Sequence, residues 1–415
     1  MISIPKLLIP IFKDISLNGG QPLITGGYIR DALIGIQSKD IDIEVYYIKT
    51  YKALEKIISQ FGPCNIIGKS FGTIRLLLED YELDFSLPRK DYKIADGHKG
   101  FKISYDPFMS YQEAASRRDF TINAIAYDPL KKILLDPFSG QSDLKKKQIR
   151  AIGNHFSEDP LRVLRAFQFA GRLGFSIEKN TLKLCQSISL ESLSKERLFG
   201  EFKKLFLLSD QPNQGFSYFF DLGLHHYFSE LILYQNEPKL FEELLNQLNK
   251  LAKEITESKL ALFFTLIILP LSQKNRSQFC KKLINDQSLL KVIFTHLNYL
   301  DQIHILYTQK IADDTKNFKL KKISLSMPIK SIQIILKITH SHNPAKNIHH
   351  WYEKKVIDCG LNQAFIPFIS GKDLIKLGFK EGKEFGEILE TMLDKQLMNE
   401  INSKKEAIKW LKEIK

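Results

Sequence analysis

The 415-residue sequence has only four cysteines, Cys64, Cys185, Cys280 and Cys359, and no two of them stand close together. That argues against a CxxC zinc ribbon and a disulfide framework, and it leads us to expect a reducing, cytoplasmic location. Long hydrophobic runs are also missing. The longest, Leu260 to Leu271, contains Thr265 and Pro270. It falls short of the roughly 20 residues a bilayer span needs, so it reads as a core helix and no membrane association is expected. The N-terminus, with Pro5, Lys6 and Pro10, lacks a basic start, an unbroken apolar core and a small-residue cleavage site, and does not read as a signal peptide. There is no internal repeat and no low-complexity tract. A complete phosphate loop is absent as well: Gly68-Lys69-Ser70 looks like the end of one, but Gly62 lies one residue too far upstream, so a turn before a strand is expected. Acidic residues are in deficit, 47 against 60 Lys and Arg, and the resulting +13 favours a polyanionic partner such as nucleic acid.

The patterns that are present divide the chain. Up to about residue 140, strand and helix signals mix. Leu23–Thr25, Ile41–Tyr47, Thr73–Leu78, Glu82–Leu87 and Lys132–Leu135 read as strands, with helices at Ile29–Ile36 and Ala53–Gln60. Beyond Asp143 the periodicity is helical almost throughout, clearest in Pro160–Leu173, Lys195–Leu208, Pro238–Ala252, Ser258–Leu269 and Phe385–Asn399. The expected class is α+β: an N-terminal head with a small mixed β-sheet, followed by an all-α remainder. The most basic run, Lys316 to Lys322, suits either a phosphate backbone or a solvated connector.

Chemistry concentrates in a few blocks. Gly26-Gly27-Tyr28-Ile29-Arg30-Asp31 reads as a glycine turn that lets backbone approach a ligand, followed by a helix. In the next strand Asp40 and Asp42 share one face, while Ile41, Ile43 and Val45 point into a core. Two carboxylates so close gain little unless a cation lies between them, and hard oxygen ligands suit Mg²⁺ shared with substrate phosphates. A phosphate-cradling turn beside a two-carboxylate metal platform suggests phosphoryl or nucleotidyl transfer. Asp84 is a candidate third carboxylate, to deprotonate the attacking hydroxyl or complete a metal shell, with Glu44 competing for the role. In Ser116 to Ala124, Arg118 is expected to bind phosphate, and Asp119 and Asn123 to hold the sugar or orient neighbours.

Glu158-Asp159-Pro160 begins a helix on which Asp159, Arg162 and Arg165, spaced by three, share a face opposite the stripe Leu161, Leu164, Phe167 and Gly171. Cytosine and adenine both present an exocyclic amine beside a ring-nitrogen acceptor. A carboxylate and a guanidinium complement that pair, whereas uracil and guanine reverse it and would leave buried polar groups unpaired. Asp159 with Arg162 would therefore select C and A. His340, His342, His349 and His350 lie close in sequence, but without cysteine or helical His-x-x-x-His spacing they are a weak zinc candidate.

The ordered set GGYIRD, DID, RRDFTINA, DPFSGQSDL and EDPLRVLR resembles the class II tRNA nucleotidyltransferases, the CCA-adding enzymes, and their bacterial poly(A) polymerase relatives. The resemblance runs from Gly26 through Phe206, with a further segment from Gly371 to Leu389. It implies a nucleotidyltransferase head (1–143), a base-selecting helical neck (144–210), a helical body (211–350) and a tRNA-binding tail (351–415). It also implies addition of C, C and A to the 3′ end and acceptor region of tRNA from CTP and ATP. By the same resemblance Gly27 and Arg30 would contact the nucleotide, Asp40 and Asp42 would hold two Mg²⁺, Arg118 would bind phosphate, and Asp159, Arg162 and Arg165 would form a protein template. Ser194 to Arg197 with Glu201 would belong to the neck helix. The chain departs from the pattern at Gln168, where many members carry arginine, and it lacks the His-Asp pairs of the phosphohydrolase domain found in some relatives, so no hydrolase activity is expected. Rival readings are a poly(A) polymerase and an A-only or CC-only enzyme. The long Ser86–Ala115 segment, with Lys90, Lys93, Lys99 and Lys102, disfavours the CC-only case, and Asp40, Asp42 and Arg118 disfavour a non-catalytic RNA-binding module. Oligomeric state is not legible.

Overall fold

The computed structural model describes residues 2–67, 72–93, 101–326, 329–340, 347–362, 365–380 and 382–415. Gly68-Lys69-Ser70, Lys99 and His342 therefore lie outside the described residues. The chain divides into two compact units, Met1–Leu245 with Ser277–Asn285, and Asn246–Arg276 with Asp286–Lys415.

The first unit holds the mixed sheet expected from the sequence. Helix α1 (Ile9–Leu17) precedes β1 (Gln21–Thr25), α2 (Gly27–Leu33), β2 (Asp40–Tyr46) and α3 (Tyr51–Ile58). Strands β3 (Cys64–Ile67), β4 (Thr73–Leu78) and β5 (Tyr81–Ser86) follow, then a hairpin of β6 (Arg89–Lys93) and β7 (Phe101–Tyr105). After α4 (Tyr111–Ala115) come β8 (Ala126–Asp128), β9 (Ile133–Leu135) and α5 (Gly140–Lys145). The sheet order is β3-β4-β5-β2-β1-β8-β9, with β2 and β5 parallel and the other pairs antiparallel. Its core is apolar and β-branched: Ile24, Ile41, Ile43, Val45, Ile74 and Phe85 are buried. The α2 helix stops earlier than its apolar pattern, at Leu33, because Gly35 takes a positive φ of 81° just beyond it.

Helices α6 (Leu161–Leu173), α7 (Lys179–Gln186) and α8 (Lys195–Leu208) complete the part of this unit that matters for the site. Buried Phe167, Phe202, Phe206, Phe216 and Phe219 lock α6 to α8, with ring centroids 5.3 Å apart for Phe167–Phe202 and for Phe216–Phe219. Gly171 permits close approach, since a Cβ there would meet Leu205 Cδ1 at 2.4 Å.

The second unit is helical among the described residues. Lys259–Ile268 is buried nearly all round, as the apolar run predicted, and Thr265 within it contacts buried His296 at 3.3 Å. The Lys316–Lys322 run lies in the helix Asp313–Ser324, where Lys322 pairs with Glu390 and Asp394 and Lys321 donates to the Leu397 carbonyl. Ile369, Leu374, Met392, Ile401, Ala407 and Leu411 form a separate small core. No helix among the described residues is long and apolar enough to cross a membrane.

Candidate active site

Strand alternation sets the acidic face. Along β2, Ile41 and Ile43 are buried while Asp40 and Asp42 are exposed, so the two carboxylates share a side as their spacing required. The register then builds a row across the sheet: Thr25 on β1 opposes Asp42, Asp42 neighbours Asp84 on β5, and Asp84 opposes Arg75 on β4. Crowding by surrounding groups, with the charges of Asp84, Glu44 and Asp40, pushes the Asp42 carboxyl above the ordinary carboxylate range, opposed by Arg118. A divalent cation would relieve that repulsion.

The other carboxylates of the neighbourhood already have counter-charges. Arg75 forks onto Asp84, with Nε 2.8 Å from Oδ1 and Nη2 2.7 Å from Oδ2. Glu44 accepts from Arg118 Nη2 at 2.9 Å and from the Tyr46 hydroxyl at 3.0 Å. Asp119 pairs with Arg165 at 2.5 Å and Asp159 with Arg197 at 2.9 Å. Among the described residues, neither Asp40 nor Asp42 has an ion-pair partner. They are the part of this acidic surface left for an external cation, and their hard oxygens fit one.

Gly26 explains the glycine turn. Its φ is +69°, and a Cβ built on it would meet Arg118 Nη1 at 2.9 Å and Asp42 Oδ2 at 3.7 Å. Glycine therefore lets the Arg118 guanidinium reach the edge of the acidic face. Burial disfavours the charge on Arg118, but Glu44, with Tyr111 and Asp42 behind it, holds its pKa above the usual value.

Arg30, expected from the resemblance to contact nucleotide, and Asp119 and Asn123, expected to hold the sugar or orient neighbours, come together in the structure and have partners inside the protein. Arg30, 3% exposed, donates to Asp31 at 2.7 Å and to Asn123 Oδ1 at 2.7 Å. Asn123 in turn donates to Asp119 Oδ1 at 2.9 Å, and Asp119 also accepts from the Phe120 amide at 2.8 Å. Burial raises the Asp119 pKa, yet Arg165 and these hydrogen bonds outweigh it and bring it below the usual range. Arg30 and Arg165 flank the Phe169 ring, 4.9 and 5.1 Å from its centroid, which ties α2 to α6.

At the start of α6, Asp159 Oδ1 accepts from the Leu161 amide at 3.1 Å. Arg162 donates to the carbonyls of His155 at 2.5 Å and Arg117 at 2.6 Å, using two of its five N–H groups. Gln168 is buried, and its Nε2 has no partner among the described residues. The DPFSGQSDL block is an internal brace: Asp136 caps α5 through the Gly140 and Gln141 amides, and Asp143 takes Thr121 Oγ1 at 2.6 Å and Arg150 Nε at 2.9 Å. Sequence reasoning missed Arg75 and Phe169. Arg75 is the one charged residue of β4, a weak signal, while Phe169 lies off the stripe that marked the apolar face. His349, His350 and Glu353, in the second unit, bring their ligand atoms within 4.8 Å of one another. His349 Nε2 already pairs with Glu353 at 3.2 Å, and no fourth ligand joins the three among the described residues, so this is a weak ligand set.

Comparison with known proteins agrees with this geometry. The family described as "Poly A polymerase head domain" matches residues 23–150, and "Probable RNA and SrmB-binding site of polymerase A" matches residues 174–233. The chain is 29% identical to the CCA-adding enzyme of Ligilactobacillus salivarius over 425 aligned positions, 99% of this chain and 96% of that protein. It is 31% identical to the CCA-adding enzyme of Streptococcus suis over 279 positions, 66% of each chain. In fold it is similar to the Bacillus stearothermophilus CCA-adding enzyme in complex with CTP, with a TM-score of 0.71 at 20% identity, covering 99% of this chain and 98% of that one.

Proposed function

The chain belongs to the family of class II tRNA nucleotidyltransferases and bacterial poly(A) polymerases, and from that membership we propose that it adds C, C and A to the 3′ end of tRNA, using CTP and ATP in the cytoplasm. The observation that carries the reading is the charge arrangement. Asp84, Glu44, Asp119 and Asp159 each pair with an arginine, while among the described residues Asp40 and Asp42 have no ion-pair partner and lie on one face beside a glycine that admits Arg118.

Asp40 and Asp42 supply oxygen ligands for two Mg²⁺, which when bound would activate the terminal 3′-hydroxyl and neutralise triphosphate charge. Asp84, adjacent in register to Asp42, is held in one orientation by Arg75 and steadies the acidic row. Arg118 meets phosphate oxygens across Gly26, and the Gly27 backbone allows close approach. Arg30 acts from the interior, aligning Asn123 and through it Asp119. Asp159 accepts from the amine of cytosine or adenine while a remaining Arg162 N–H donates to the ring nitrogen, and Arg165 fixes α6 against Asp119. Uracil and guanine would face acceptor with acceptor and donor with donor.

The test is incorporation by purified protein on tRNA lacking its 3′ end, with Mg²⁺ and each labelled nucleotide singly and in pairs, resolved on a sequencing gel. Two C residues from CTP alone, and three additions stopping at A with CTP plus ATP, are expected. A homopolymeric A ladder would instead assign poly(A) polymerase, and addition of only A or only CC would assign a specialist enzyme.

A further inference from the structure

We propose that Arg197 is a specificity-determining positioning residue, which turns the Asp159 carboxylate so that one lone-pair direction on Oδ2 is left to read the base. The proposal rests on the reading of Asp159 as a base-selecting residue. Arg197 Nη2 lies 3.0 Å from Oδ1 and 2.9 Å from Oδ2, bridging both oxygens. Oδ1 is further occupied by the Leu161 amide. Oδ2 accepts from Arg197 alone among the described residues, so the carboxylate has one oxygen committed to the protein and one with capacity to spare.

A purely structural role for the pair explains less. Both side chains are part-exposed, 23% for Arg197 and 34% for Asp159, and a pair in such a setting adds little to stability. The two helices it joins are already fixed by Phe167, Phe202 and Phe206, and by the close approach of Leu205 to Gly171. What the pair does fix is orientation. Arg197 sits in the first turn of α8, where the adjacent Glu196 accepts from Asn285 Nδ2 at 2.7 Å, so the guanidinium projects from an anchored backbone. Asp159 lies just ahead of α6, where a side chain otherwise free to rotate would offer either oxygen at several angles. A carboxylate that rotates freely discriminates poorly between an amine and a carbonyl, because water can bridge the mismatch.

The wild-type protein is assayed first on tRNA lacking its 3′ end; failure to add C, C and A there would overturn the functional reading and not this inference. Next, Arg197→Ala is compared for CTP, ATP, UTP and GTP under single-turnover conditions. We expect KM for CTP and ATP to rise about 10-fold with kcat changed less than about threefold, and selectivity for C over U to fall about 10-fold. Affinity for tRNA and the thermal midpoint should hold. Arg197→Lys should recover part of the loss, since the ammonium keeps the charge but sits on a shorter, flexible stem without the planar guanidinium that fixes the angle of approach. In an Asp159→Ala background, Arg197→Ala should add nothing further. Unchanged selectivity in Arg197→Ala, a lowered KM of the kind a simple latch on Asp159 would give, or losses that add in the double variant would each overturn the proposal. If the alanine variant fails to fold, Arg197→Lys and Arg197→Gln carry the same comparison.

Discussion

Replacing Asp119 tests whether the buried network behind the site is as tightly coupled as its geometry indicates. Asp119 is 7% exposed and accepts from the Phe120 amide, Asn123 Nδ2 and Arg165 Nε. Asp119→Ala leaves three donors without an acceptor, one of them cationic. Breaking a buried ion pair from one side costs about 3–5 kcal/mol. Arg165 keeps 30% of its side chain accessible and stays over Phe169, which places the expected loss near the lower end, about 3 kcal/mol. Asp119→Asn keeps one oxygen for the Phe120 amide and Asn123 Nδ2 but turns its own NH2 towards Arg165 Nε, losing the charge and that acceptor, so about 2 kcal/mol is expected for it. Both tryptophans, Trp351 and Trp410, lie in the second unit, so urea unfolding should be followed by far-UV circular dichroism rather than tryptophan emission. The pH dependence carries a sign. The folded pKa of Asp119 is lowered, so its contribution is present above the unfolded value, near 3.9, and is lost as pH falls through the folded one. The difference between wild type and Asp119→Ala should therefore shrink below about pH 4. A penalty under about 1 kcal/mol at pH 7, or one that stays constant down to pH 3, would refute the coupling.

Three further outcomes are expected. Asp40→Ala should lower single-nucleotide incorporation by at least about 10³-fold while leaving tRNA affinity within about twofold, and residual turnover near wild type would remove the metal assignment. Arg162→Ala should loosen base choice more than it weakens tRNA binding; continued full exclusion of UTP and GTP in the incorporation gel would remove Arg162 from the template. Burial pushes the His296 pKa down to about 4, so its neutral form stabilises the second unit above pH 6.5 and that stability is lost as pH falls towards 4. By pH 5 the loss should reach about 2 kcal/mol, read from urea midpoints by tryptophan emission, and His296→Met should show a flatter pH profile. Equal slopes in wild type and variant would place the acid sensitivity elsewhere.

Local periodicity made much of the framework legible. The limits of β4 and α8, and the shared face of Asp40 and Asp42, follow from period-2 and period-3.6 patterns that need no tertiary information. The fork of Arg75 onto Asp84 depends on register between strands joined through a turn, and the adjacency of Asp42 and Asp84 on a parallel pairing of residues about forty positions apart in sequence. Neither is written in a local pattern. Arg30 shows the same limit in charge. The family resemblance implies that it contacts nucleotide, yet it is buried against Asp31 and Asn123, and sequence alone does not distinguish an internal counter-charge from an external one.

That distinction bears on how the site works. On the proposed reading, the internally paired Arg30, Arg75 and Arg165 would serve preorganisation rather than neutralise substrate charge. On that reading, the groups that would respond to a triphosphate are Asp40 and Asp42 through a metal, Arg118 by exchanging Glu44 for phosphate, and Asp159 with Arg162 through the base. Glu44 is consequently the group to watch. If Arg118 turned to phosphate, Glu44 would keep, among the described residues, the Tyr46 hydroxyl, and its charge beside Asp42 would lose its counter-charge, which would strengthen the pull on a divalent cation. Nucleotide and metal should therefore bind with positive cooperativity, and Glu44→Gln, which alters the Arg118 pairing, should weaken that coupling; nucleotide affinity that rises equally with Mg²⁺ in wild type and variant in a titration would refute it.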